Sequence, residues 1–105
     1  MSEEKRAVWR YQVSVDGPET IGLTGDPVAF GALSYSAGIE FWAEHDDAKP
    51  EVPRTFVIVG TGHRIPDDAV YVGTAPRTRE GLVWHLYELS REAVARWRDD
   101  EGLPS

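Results

Sequence analysis

The chain has 105 residues, 41% of them hydrophobic and 10% aromatic, which is enough for one buried core and too few for two. With 18 Asp and Glu against 11 Lys and Arg, its formal charge of −7 opposes the phosphate-neutralising patch of a nucleic-acid binder, so no direct nucleic-acid partner is expected. The absence of cysteine excludes disulfides, Fe–S clusters, thiolate nucleophiles and thiolate-ligated zinc.

In chain order, the first strong signal is Val8 to Val15, where Trp9, Tyr11, Val13 and Val15 alternate with Arg10, Gln12 and Ser14, the period of a half-buried strand. Asp16-Gly17-Pro18 supplies a turn, and Thr20 to Leu23 returns as a short strand, so the opening reads as a hairpin. Val28 to Tyr35, weakened by Gly31, turns through Ser36-Ala37-Gly38 into Ile39 to His45, a second hairpin in which Phe41, Ala43 and His45 oppose Glu40, Trp42 and Glu44. Asp46 to Pro53, with two prolines and several charges, is expected to be an exposed connection and the longest loop.

Thr55 to Val59 is β-branched and aromatic throughout and predicts a strand buried on both faces, ending in the turn-rich Gly60-Thr61-Gly62-His63-Arg64. Pro66-Asp67-Asp68 turns into a strand at Val70 to Thr74, and the Ala75 to Gly81 loop precedes a strand at Leu82 to Leu89. That last strand has Leu82, Trp84 and Leu86 on one face and Val83, Tyr87 and Leu89 on the other. Ser90 is an N-cap for a helix over about 91–98, with Glu92 near its positive end, Arg96 and Arg98 near its negative end, and Ala93, Val94 and Trp97 facing the sheet. The tail from Asp99 to Ser105 is expected to fray. The fold predicted is one mainly β domain over 1–105 with its core at about 8–89. About seven short strands form a small antiparallel β-sandwich or barrel-like sheet, and a short C-terminal helix follows.

Five blocks, in this order and spacing, carry a resemblance. They are Trp9-Arg10-Tyr11, Phe41-Trp42-Ala43-x-x-Asp46, Arg54-x-Phe56-x-Ile58-x-Gly60-Thr61-Gly62-His63, Tyr71-Val72-Gly73-Thr74 and Val83-Trp84-His85-Leu86-Tyr87-Glu88. Together they resemble a family of short phage and actinobacterial proteins, a domain of unknown function. The resemblance spans about Val8 to Leu89 and implies a stand-alone accessory protein of a phage or prophage in a bacterial cytoplasm. It supplies no catalytic residues, and the helix lies outside the shared blocks.

The residues themselves offer three candidate sites. Gly60, Thr61, Gly62, His63 and Arg64 form a turn whose backbone N–H groups and polar side chains suit an anion or small ligand, although it lacks the length and lysine of a P-loop. The same two glycines are equally suited to a tight connection between strands. His45, His63 and His85, with Glu44, Asp46 and Asp47, contain metal-ligand donors, but neighbouring strand residues point to opposite faces, and neither an HxH pair nor an HExxH helix is present. No metal site and no cofactor are therefore expected. Trp42, Trp84 and Tyr87 belong to an aromatic set too large for one small core, and some of that surface should contact a partner.

The leading functional expectation is a non-enzymatic accessory protein that binds a host protein or itself, as a homodimer. The alternatives are a small-ligand or nucleotide-binding domain using the Gly60 to Arg64 turn, and a histidine-dependent hydrolase. No G-x-S-x-G elbow or acid–histidine motif supports the hydrolase. The start of the sequence, MSEEKRAVWR, lacks the apolar stretch of a secretory signal, and no segment is apolar enough to span a membrane, so a cytoplasmic setting without membrane partners is expected.

Overall fold

The computed structural model describes residues 4–33 and 37–99; the Tyr35 strand end, the Ser36 turn residue, the Arg98 side chain and the tail from 100 lie outside the described residues. Seven strands and one helix follow in order: β1 (Arg6–Ser14), β2 (Glu19–Leu23), β3 (Pro27–Ala32), β4 (Gly38–Asp46), β5 (Val52–Gly60), β6 (Val70–Thr74), β7 (Trp84–Leu89) and α1 (Arg91–Asp99). They form a three-stranded sheet, β1-β4-β3, and a four-stranded sheet, β2-β5-β7-β6, with every pairing antiparallel. The two sheets make an open sandwich rather than a closed barrel. No helix of the described residues is long and apolar enough to cross a membrane.

Strand alternation decides the layers. Val13 of β1 and Ile39, Phe41 and Ala43 of β4 point inward from the smaller sheet, and meet Leu23, Phe56, Ile58 and Leu86 of the larger one. Each large side chain so enclosed contributes roughly 1.5–3 kcal/mol relative to exposure. The opposite face of the larger sheet carries Val57, Val59 and Leu89, and α1 covers it with Ala93, Val94 and Trp97 while Ile65 and Ala69 close the side. The prediction that β5 is buried on both faces therefore holds, as does the division of β7 between Leu86 on one face and Tyr87 and Leu89 on the other.

Close approach requires glycine at positions 73 and 38, among others. A Cβ at Gly73 would enter the Phe30 ring, which reaches across from the smaller sheet, and a Cβ at Gly38 would collide with the Val13 carbonyl. At the opposite end of the larger sheet, Arg54 donates to both Glu88 oxygens at 2.9 and 2.8 Å and to Asp26 at 2.7 Å, and its guanidinium lies 5.7 Å from the centre of the Phe56 ring. These carboxylates hold the Arg54 guanidinium more firmly protonated than usual.

Three expectations need correction. The opening is not a hairpin: β1 pairs with β4 and β2 with β5, so Asp16-Gly17-Pro18 carries the chain from one sheet to the other. The crossing lets Val13 and Leu23 bury in the same core from opposite walls. The Asp46 to Pro53 segment is not wholly a loop, because β5 starts at Val52 and includes Pro53 opposite Gly22. Proline is tolerated there because β7 pairs with β5 only from Thr55 onward, so no bond on that side needs the missing N–H. The longest connections between described elements are instead 61–69 and 75–83. Strand ends also shift, with β3 starting at Pro27 and β7 at Trp84 instead of Leu82.

The helix starts as its sequence predicts. Ser90 Oγ accepts the Ala93 N–H at 3.0 Å and donates to Asp68 Oδ2 at 2.9 Å, while Arg96 donates to Asp68 Oδ1 at 2.7 Å. The Ser90 hydrogen bond, with Arg96 in support, lowers the Asp68 carboxyl below its ordinary value of 3.8. A carboxylate depressed in the folded state stabilises it above the unfolded pKa, and that contribution is lost as pH falls through the lower folded value. Amide exchange of α1 should therefore accelerate relative to that of β5 as pH is lowered through 4 to 3, after correction for intrinsic rates. Asp68→Asn should remove most of this difference.

The sandwich contact at Gly73 gives a second expected outcome. Gly73→Ala should destabilise the domain by about 1–3 kcal/mol through overpacking against Phe30. In thermal melts, Gly73→Ala combined with Phe30→Ala should be less destabilised than the sum of the two single changes, because the second change removes the collision.

Candidate functional site

The end of β5 and the start of β7 lie side by side, with Gly60 opposite Trp84. This pairing brings the turn after β5 against the long 75–83 connection. Residues 60–63 close a tight turn, in which the His63 N–H donates to the Gly60 carbonyl at 3.1 Å. The Gly60 N–H in turn donates to His63 Nδ1 at 2.9 Å, so the proton of the neutral ring is assigned to Nε2. Gly62 adopts φ +91, a left-handed conformation that glycine takes without strain.

Around this turn is a recess of about 450 Å³ lined by Gly60, Thr61, His63, Arg77, Leu82 and Trp84, among others. Three of the five turn residues named from the sequence thus face a common space, whereas Gly62 and Arg64 do not line it. Sequence reasoning missed Arg77 because only the β5–β7 register brings it there. The sequence showed only that Arg77 and Arg79 flank a threonine in an otherwise acidic chain, which does not tie them to the turn.

On the other side of the turn runs a chain of polar contacts. Thr61 Oγ1 lies 3.4 Å from His85 Nε2, Thr74 Oγ1 lies 3.0 Å from His85 Nδ1, and the Tyr71 hydroxyl lies 2.6 Å from Thr74 Oγ1. A neutral imidazole donates at one nitrogen and accepts at the other, so this chain fixes the ring between two hydroxyls. Among the described residues no three His, Asp or Glu side chains converge as metal ligands.

His45 belongs to neither group. It is buried at the edge of the sandwich, stacks on Trp9 at 3.8 Å between ring centres, and places Nε2 3.1 Å from Asp47.

The three aromatic partner candidates take different positions. Trp84 packs on the inter-sheet core and Tyr87 on the helix-side core, and both are only partly exposed. Trp42 lies on the outer face of the smaller sheet, opposite Arg10 on one side and Ala29 on the other. Among the described residues the most exposed aromatics are Trp9 and Tyr71, at 45% and 55%.

The family model described as Domain of unknown function (DUF7352) matches residues 4–96, which takes in all seven strands and α1 as far as Arg96. The chain belongs to that family. The match extends past the last of the five blocks into the helix, so α1 is part of the DUF7352 unit rather than an appendage to it. No curated protein and no solved structure matches the chain.

Gly62 tests the turn without touching its recess. A Cβ there meets nothing within 4 Å, so the penalty for substitution comes from backbone conformation alone. Gly62→Val should destabilise this DUF7352 domain by about 1–2 kcal/mol. Gly62→Asn, which tolerates the left-handed region, should cost less than half of that in the same melting experiment.

Proposed function

We propose that the domain is a non-enzymatic binding module that self-associates through the outer face of its three-stranded sheet. The observation that carries this reading is an asymmetry of cover. The larger sheet is packed on both faces, by the smaller sheet on one side and α1 on the other, while among the described residues the smaller sheet is packed on one face only.

The uncovered face also has a pattern suited to a second copy. On β1 it carries Arg6, Val8 and Arg10, with Val8 64% exposed, and on β4 it carries Glu40, Trp42 and Glu44. Arg6 pairs with Glu44 at 3.2 Å and Arg10 with Glu40 at 3.5 Å, so a positive column stands beside a negative one. Such exposed pairs add little to the stability of one chain. Their arrangement is nevertheless self-complementary. A twofold axis along the strands, midway between β1 and β4, lays the arginine column of one copy over the glutamate column of the other. It also places Arg10 over Trp42 of the second copy, a cation–π contact made twice by symmetry.

The setting that goes with this reading is that of a small accessory protein of a phage or prophage in a bacterial cytoplasm. It rests on the five sequence blocks.

Light scattering at tens of micromolar should give twice the 11.7 kDa chain mass. The pair Glu40→Arg with Glu44→Arg and, separately, the pair Arg6→Glu with Arg10→Glu should each give monomers, and an equimolar mixture of the two variants should restore the dimer. A strictly monomeric unmodified chain, or a dimer indifferent to both reversals, overturns the reading.

A further inference from the structure

The distribution of cations about the recess at Gly60 points to a second site, independent of the sheet face. Four arginines elsewhere are each matched to carboxylates: Arg6 to Glu44, Arg10 to Glu40, Arg54 to Glu88 and Asp26, and Arg96 to Asp68. The loops at the recess are different. Residues 60–64 and 75–83 hold Arg64, Arg77 and Arg79 with one acid, Glu80, in a chain whose acids outnumber its bases by 18 to 11. Arg77 donates through Nη1 to the Gly81 carbonyl at 2.8 Å, a neutral acceptor that fixes the guanidinium in place without cancelling its charge.

The donors that share the recess with Arg77 are directed by their own contacts. His63 has Nδ1 occupied by the Gly60 N–H, which leaves Nε2–H as its free donor. Among the described residues Thr61 Oγ1 is held by the long 3.4 Å contact to His85 and keeps hydrogen-bonding capacity for a ligand. A guanidinium, an imidazole N–H and a hydroxyl in one recess match the oxygens of a tetrahedral anion. The remaining wall is apolar, formed by Leu82, Val83 and the half-buried indole of Trp84. At about 450 Å³ the recess is larger than a bare phosphate needs and falls in the range of small-ligand sites.

We propose that this recess binds a phosphomonoester of a small planar molecule, with the phosphate on Arg77, His63 and Thr61 and the planar body against Leu82 and Trp84. The chemistry is recognition only: no bond is made or broken, and no metal is needed to neutralise the phosphate.

Titration of the full chain with adenosine monophosphate, inorganic phosphate and adenosine, at low ionic strength, tests the proposal. Adenosine monophosphate should bind more tightly than inorganic phosphate, and adenosine alone should bind far more weakly than either. Amide shifts should concentrate at 60–63 and 77–84. Arg77→Gln should weaken the monophosphate by about tenfold or more, the loss expected for one charge-assisted hydrogen bond, with an unchanged melting temperature. His63→Ala supplies an independent variant on the other loop and should weaken it as well. Absence of binding at millimolar ligand, equal binding of adenosine, shifts located elsewhere, or full affinity in both folded variants would each overturn the assignment. Because none of these changes touches β1 or β4, the outcome is separate from that of the dimer test.

Discussion

Strand β5 has large apolar side chains on both faces, and water can be kept from neither unless something packs on each side. Phe56 and Ile58 require a facing sheet, while Val57 and Val59 require a second cover. The smaller sheet meets the first need and α1 with the 61–69 connection meets the second. The three layers are thus consequences of one nine-residue segment. The Ser90 cap matters for the same reason: it fixes where α1 begins and therefore whether Ala93 and Trp97 fall over Val57 and Val59.

Much of this was legible in the residues. The alternation in Ile39 to His45, the unbroken apolar run at Thr55 to Val59 and the two-faced strand ending at Leu89 each state their burial locally, and each is found as read. Partnership was less visible. Asp16-Gly17-Pro18 has the same turn chemistry whether it folds a strand back beside itself or sends it to another sheet. The choice is made by Ile39 to Ala43 and by Arg54 to Phe56, residues distant in sequence, because they supply the edges on which β1 and β2 pair. Pro53 misled for a related reason, since a proline excludes a strand only where a neighbour demands its N–H.

The candidate recess was half legible. Gly60, Thr61 and His63 announce an unusual turn, and the positive φ at Gly62 explains why glycine stands there. Arg77 enters only through the pairing of Gly60 with Trp84, which no local pattern encodes. Trp84 and Tyr87 show the complementary limit. Aromatic abundance implied surface contact, yet these two rings are partly buried against the two cores because β7 lies between two layers.

The pairing order also bears on how the chain reaches this state. The β3–β4 and β6–β7 pairs join strands adjacent in sequence, so neither has to close more than one connection. β1 must instead find β4 with Arg6 opposite Asp46, and β2 must find β5 with Leu23 opposite Val52, so both pairings close long loops before any contact rewards them. The Asp16 to Pro18 crossing ties these two late events together. Once β1 docks on β4, the few residues between Ser14 and Glu19 confine β2 to the neighbourhood of β5, and the Ser14 N–H donating to Glu19 at 2.6 Å tightens that tether. A segment that looks like a simple turn therefore ties the two sheets together, so that seating β1 on β4 also restricts the space open to β2.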